Sequence, residues 1–315
     1  MISYAPRACL VPVSERSHVL EAHTQTAEVI AAHGRHYVVE TATGVRLACV
    51  TRGKRSDLAC GDWVRYAADG SEAGVIEHYL PRKTLFSRSV EHRTKLLAAN
   101  ATQLLVTVAA EPSFSDELIA RACSVAMHEG MKAVVVLNKI DLPIATEALE
   151  RLRCLEHSGI PVVGISALHD VSALLPHLHA ERSVLVGQSG MGKSTLVNNL
   201  VPDAKTQTAG ISYFLDSGRH TTTASHLYRL DDESSLIDTP GLKEFGLAHL
   251  SLAEIARGFP ELADWHGRCR FADCAHRSEP DCAYREALAA GAIHPRRFEL
   301  LQRILESERA RRRTH

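Results

Sequence analysis

Nine consecutive residues, Gly187-Gln188-Ser189-Gly190-Met191-Gly192-Lys193-Ser194-Thr195, carry the clearest chemistry in the chain. They fit G-x-x-x-x-G-K-[ST], a loop whose backbone N–H groups cradle phosphate oxygens. Its glycines let the backbone turn tightly and approach phosphate, and the dipole of the following helix favours the negative charge. In this pattern Lys193 reaches the β- and γ-phosphates, and the Ser194 hydroxyl holds Mg2+. The motif requires a strand before it and a helix after it; residues 183–186 and 194–201 read as that pair.

A second constellation, Asn138-Lys139-Ile140-Asp141, fits N-K-x-D. A carboxylate at 141 can accept both the N1–H and the 2-amino group of guanine, a bidentate pair that adenine does not offer. Asn138 can meet the acceptor edge of the base, and the Lys139 stem can lie over its face. Ser166-Ala167-Leu168 resembles the S-A-[KL] element whose backbone N–H meets the guanine carbonyl. Downstream, Asp238-Thr239-Pro240-Gly241 fits D-x-x-G, in which Asp238 orients a Mg2+-bound water and the Gly241 N–H meets the γ-phosphate. Between the last two motifs, residues 206–230 are rich in Gly, Ser and Thr and contain Gly218-Arg219-His220-Thr221-Thr222-Thr223. A threonine here, taken as Thr222, would bind Mg2+ while GTP is present and let go after hydrolysis. Leu242 stands where Ras-like enzymes have the glutamine that orients the attacking water, which leucine cannot do. His220 is the candidate for that catalytic role, a structural role being its alternative.

Cys269, Cys274, His276 and Cys282 fall within fourteen positions and offer three thiolates and an imidazole. That is the Cys3His set of a closed structural zinc site, with no position left for a reacting water. One Zn2+ is expected there. Cys9, Cys49, Cys60, Cys123 and Cys154 are scattered and read as buried free thiols. Together they fit a reduced, cytoplasmic compartment better than a disulfide framework.

Positioning these groups takes a parallel sheet. Apolar strands at 103–110, 131–137, 161–165 and 183–186 alternate with helical spacing at 115–129, 145–157 and 171–178, which implies helices on both faces of such a sheet. Upstream, five short strands at 27–32, 36–40, 45–50, 63–66 and 74–79 are punctuated by glycine and read as an OB-fold β-barrel. Arg46, Arg52, Lys54 and Arg55 give it a basic rim, and 81–95 reads as a positively charged connector. Helices are expected at 251–257, within 278–290, and at 296–309, where Phe298, Leu301, Ile304 and Leu305 share one side. Arg309, Arg311, Arg312 and Arg313 then end the chain, as a grip for RNA phosphates or as a solvated end. The expected division is a mobile tail at 1–25, the OB barrel at 26–88, the GTPase domain at 89–246 and a helical zinc-binding domain at 247–315.

The net charge of −1 leaves any nucleic acid to be met by local patches. No apolar run reaches the length of a membrane span, and the run at 9–13, broken by Pro12, is too short for a secretory signal.

Ordinary GTPases begin with the phosphate loop and reach the guanine motif fourth. Here the guanine motif comes first, so the elements are circularly permuted. A permuted G domain between an OB-like barrel and a cysteine-rich tail resembles the ribosome small-subunit-dependent GTPase family (RsgA, also called YjeQ or EngC). The likeness runs from about residue 26 to the end, and Gly218–Thr223 and the cysteine spacing are its most specific marks after the permutation. It implies a late maturation factor of the 30S subunit, with GTP hydrolysis stimulated by that subunit and with 16S rRNA touched by the barrel and the zinc domain. GTP and GDP are then the ligands, and a monomer free of membrane is expected. Because the switch and D-x-x-G feed straight into the tail, movement at the γ-phosphate is expected to couple nucleotide state to release. Two other readings remain: a GTP-gated RNA-binding module with little turnover, suggested by Leu242, and an ATP-using kinase or transferase, against which Asp141 argues.

Overall fold

The computed structural model describes residues 24–53, 57–70, 72–90, 93–205, 225–241 and 245–313. The expectations for the tail up to residue 23, for Cys9, Lys54 and Arg55, for the segment with His220 and Thr222, and for Leu242 lie outside the described residues.

Alternating apolar residues build a closed barrel from β1 (Thr24–His33), β2 (His36–Thr41), β3 (Arg46–Thr51), β4 (Trp63–Asp69) and β5 (Ala73–Tyr79). β1 pairs with both β2 and β4, and β3 runs parallel to β5, so the order closes as β1-β2-β3-β5-β4-β1. Ala27, Val29, Tyr37, Val39, Leu47, Val64, Tyr66 and Ile76 fill the interior. This is the expected OB-like barrel, and two of its aromatic rings, Tyr37 and Tyr66, are spent on its core.

Residues 81–95 differ from the expected connector. They run into an antiparallel hairpin, β6 (Leu85–Val90) and β7 (Arg93–Ala99), which straddles the expected boundary at 88/89. Phe86 is fully buried and packs against Phe245 at 5.5 Å between ring centroids. The charged residues hid this pairing because they break the apolar alternation that marks a strand.

β8 (Gln103–Ala109), β9 (Lys132–Asn138), β10 (Val162–Gly164), β11 (Arg182–Val186) and β13 (Ser235–Asp238) form a parallel sheet in the order β10-β9-β8-β11-β13. β12 (Ser225–Arg229) adds an antiparallel strand beside β13. Successive side chains of a strand point to opposite faces. Leu104, Val106 and Val108 of β8 accordingly join one apolar cluster, and Leu105 joins another. Each such side chain, fully buried, contributes roughly 1.5–3 kcal/mol. The first face is covered by α1 (Asp116–His128), begun by Ser115, whose Oγ accepts the Leu118 N–H at 3.3 Å. α2 (Ala145–Leu152), running on into a 3-10 turn, and the short α3 (Leu175–Leu178) follow the second and third strands. α4 (Lys193–Leu200) lies on the second face through Leu196 and Val197.

Three helices complete the chain: α5 (Leu252–Arg257), begun by a Ser251–Glu254 capping box, α6 (Ala283–Ala289) and α7 (Pro295–Arg313). Phe298, Leu301, Ile304 and Leu305 are buried, as their spacing predicts, in the same cluster as α1. Arg121 of α1 donates to Glu308 at 2.6 Å and to Ser307 at 2.9 Å. A β-carbon on Gly258 would stand 2.3 Å from the Ser124 Cα, so only glycine allows α1 this close. Two of the terminal arginines also bond within the chain, Arg309 donating to the Cys274 carbonyl at 2.9 Å and Arg312 to the Leu250 carbonyl, while Arg311 and Arg313 are exposed. Among the described residues no helix is long and apolar enough to cross a membrane.

Candidate active site

The motif residues stand at the carboxyl ends of β9, β10, β11 and β13, the edge where open α/β sheets bind ligands. The phosphate loop leaves β11 at Gly187, where a β-carbon would lie 2.3 Å from the Thr107 carbonyl of β8. Gly192 has φ +86°, and a β-carbon there would strike the Asn138 amide at 2.1 Å. Both positions demand glycine through close approach, and Gly192 also through its left-handed backbone. Lys193 opens α4, and its ammonium donates to the carbonyls of Gly187 at 2.8 Å and Gln188 at 3.0 Å. Burial lowers the Lys193 pKa, while the charge of Asp238 opposes the shift.

Asp238 ends β13 and is 9% exposed. Burial pushes its pKa up to about 6, against the pull of Lys193 and the Thr239 N–H. Its Oδ1 finds no hydrogen-bond partner among the described residues. Thr239 anchors the turn by donating to the Leu185 carbonyl at 2.8 Å. A β-carbon on Gly241 would meet the Lys193 Nζ at 3.6 Å and the Ser189 N at 3.8 Å, so D-x-x-G abuts the phosphate loop. A buried carboxylate oxygen without a donor, beside a hydroxyl-bearing phosphate loop, fits the oxygen-ligand chemistry of Mg2+.

Asn138 joins the two halves of the site. Its Nδ2 donates to the Met191 carbonyl at 2.9 Å, and its Oδ1 accepts from the N–H groups of Lys139 and Ala167, both at 2.8 Å. Expected to meet the base, the buried amide is largely committed to holding three loops together, with one N–H left. Lys139 has φ +64° and donates from Nζ to the Glu111 carbonyl at 2.7 Å. Asp141 and Ile140 are exposed. The nearby Ser166 side chain, against some desolvation, and then its own backbone N–H, His169 and Lys139 hold the Asp141 carboxyl below its ordinary value. It is an ionised acceptor on the same edge as the phosphate loop. Ser166 is buried, and Ala167 is held from its other side by Asn199 at 3.3 Å. Sequence reasoning missed Thr107 and Glu111, because contacts made through a main-chain carbonyl leave no mark in residue type.

The second centre is the one cluster of metal-ligating side chains found among the described residues. The donor atoms of Cys269, Cys274, His276 and Cys282 all lie within 4.8 Å of one another. The His276 Nδ1 stands 3.5 Å from the sulfurs of Cys269 and Cys282. Zinc–ligand bonds of about 2.0–2.3 Å give tetrahedral edges of roughly 3.3–3.8 Å, so the set is compatible with zinc. Burial lowers the His276 pKa to about 4, which leaves the imidazole neutral and able to ligate. The ring stacks on Tyr284 at 4.0 Å, whose hydroxyl meets the His266 Nδ1 at 2.7 Å. Glu279 accepts the N–H groups of Ala275 at 2.7 Å and Arg277 at 2.8 Å, which shapes the ligand loop.

A family model described as RsgA GTPase matches residues 79–248, from the end of β5 past D-x-x-G. The chain belongs to the RsgA GTPase family. It is 48% identical over 284 residues to a small ribosomal subunit biogenesis GTPase RsgA of Nitrosospira multiformis, covering 89% of this chain and 90% of the relative. A protein of the same name from Neisseria meningitidis serogroup B is 46% identical, with 91% and 93% covered. Among solved structures, YjeQ from Thermotoga maritima superposes with a TM-score of 0.70 at 27% identity, covering 90% of this chain and 98% of that one. YloQ, described as a circularly permuted GTPase, shares the fold at a TM-score of 0.67 and 21% identity, with 93% and 98% covered. As an RsgA GTPase the chain is an enzyme that hydrolyses GTP, built on a permuted G domain behind an OB-like barrel.

Proposed function

We propose that this GTPase acts as a late maturation factor of the small (30S) ribosomal subunit, its hydrolysis stimulated by the subunit and coupled to release. The observation that carries the nucleotide part is the Asn138 amide spanning the guanine motif and the phosphate loop. The names of the relatives support the subunit as partner. In this reading Asp141 selects guanine, with Lys139 and Ile140 beside the base and the Ser166–Ala167 backbone at its carbonyl. Residues 187–195 hold the phosphates. Ser194, Thr222 and, through water, Asp238 would hold Mg2+, which when bound neutralises charge on the phosphate oxygens. Water adds to the γ-phosphorus, the bond to the bridging oxygen breaks, and GDP and phosphate leave. His220 orients that water, and the Gly241 N–H steadies the γ-phosphate.

Cys269, Cys274, His276 and Cys282 would hold one structural Zn2+. The barrel at 26–88 and the unit at 247–315 meet 16S rRNA on either side of the GTPase domain at 89–246, and the protein works as a cytoplasmic monomer. Leu242 favours a second reading, a GTP-gated RNA-binding module with little turnover. Phosphate release with and without purified small subunits separates the two. At least about tenfold stimulation, equivalent to about 1.4 kcal/mol of barrier, supports the enzyme reading, and its absence supports the module. His220→Ala is expected to remove the stimulated rate and keep GTP binding; full turnover in that variant excludes His220 from the mechanism.

A further inference from the structure

The barrel is joined to the nucleotide-binding sheet by strand pairing and by a buried charge cluster that the GTPase chemistry does not use. β1 pairs antiparallel with β12, Ala31 opposite His226 and Ala32 opposite Ser225, so barrel and sheet form one eleven-stranded surface. Glu28 of β1 is fully buried beside this seam and stands directly opposite Glu40 of β2. Like charges facing one another across strands repel. The cations that compensate come largely from the other unit. Arg182, at the start of β11, meets Glu28 at 2.6 Å and also donates to the Gly61 carbonyl of the barrel at 3.2 Å. Arg229, at the end of β12, pairs with Glu28 and approaches Glu40 at 3.8 Å. The barrel supplies Arg46, 3.0 Å from Glu40.

Both arginine-bearing strands lead to the nucleotide. β11 is five residues long and runs from Arg182 directly into Gly187 of the phosphate loop. β12 runs antiparallel beside β13, placing His226 opposite Asp238. A shift of either strand therefore moves a cation relative to the fully buried Glu28 carboxylate, Arg182 being largely buried and Arg229 half-exposed, and removing one partner of such a buried charge is costly.

We propose that this joint makes the barrel a regulatory element of the nucleotide site, so that triphosphate at the phosphate loop and RNA on the barrel strengthen one another through Glu28, Arg182 and Arg229. It rests on the reading of the barrel as RNA-binding, and linkage makes the coupling reciprocal. Its test needs no RNA and no ribosomal subunit. Amide hydrogen exchange over residues 24–41 is measured in the full chain with GDP and with a non-hydrolysable GTP analogue. Exchange is expected to be about fivefold slower with the triphosphate. Arg229→Ala and the milder Glu28→Gln, each checked for a cooperative melt, should remove most of that difference while nucleotide affinity stays within about twofold. Equal exchange in the two nucleotide states of the native protein overturns the proposal. So does an undiminished difference in whichever variant folds. Either result leaves the subunit-stimulated rate, measured separately, standing or falling by itself.

Discussion

The nucleotide site and the cysteine centre solve the same problem, holding a charged group in place, by opposite means. At the nucleotide site the partners are far apart in sequence: Asn138 with Met191, Thr239 with Leu185, Gly187 against Thr107. The sheet brings them together, so the loops are shaped before any ligand arrives. At the cysteine centre the four donors and the Glu279 turn lie within fourteen positions, with Tyr284 close by in sequence and Gln302, Glu306 and Arg309 of α7 reaching in from farther along the chain. The lesson concerns dependence on the ion. A fold-supported site survives without its metal, whereas a loop-supported one draws its order from the metal.

Three experiments test that contrast. Lys193→Ala should lower turnover by about a hundredfold or more, a loss similar to that of one preorganised charge donor. Phosphate release measures it, and the melting temperature should hardly move, because among the described residues the hydrogen bonds of the ammonium go to loop carbonyls. A matching drop in melting temperature would mean that the loop is not shaped in advance. Chelation of zinc should next expose residues 266–282 to protease, yet leave GDP affinity within about fivefold, since metal supplies most of the free energy of such loops. Loss of GDP binding on chelation would show the centres to be one cooperative unit. Asn138→Ala should cost about 2–3 kcal/mol in urea denaturation, because the Met191 carbonyl and the Ala167 N–H are left without their partner. Weakened guanine affinity should accompany it, and an unchanged midpoint would remove Asn138 as the tie between the loops.

How much could be read beforehand follows the same division. β8 was legible because a strand buried on both faces must be apolar throughout, and α1 because Ser115 caps a helically spaced apolar face. The hairpin β6–β7 was not, since its charged residues imitate a solvated connector. β12 was hidden in a polar stretch, because what makes it a strand is pairing with β13 and β1 rather than its own hydrophobicity. The terminal arginines read as an RNA grip or a solvated end, and nothing in the sequence told that Arg309 and Arg312 also donate to carbonyls of the chain. A side chain's type reports its charge but not which carbonyl it will face.

Residue types and their spacing were enough to mark the phosphate-loop pattern, N-K-x-D, D-x-x-G and the Cys3His set. Each is a short segment whose chemistry depends on neighbours along the chain. Tertiary structure alone decided that Asn138 would be a tie between loops, that Asp238 would keep an unpartnered oxygen, that α7 would share a core with α1, and that Glu28 would lean on two arginines of another unit. Those contacts join residues from 53 to about 200 positions apart. No local periodicity encodes such pairs, because they exist only once strands and helices have packed.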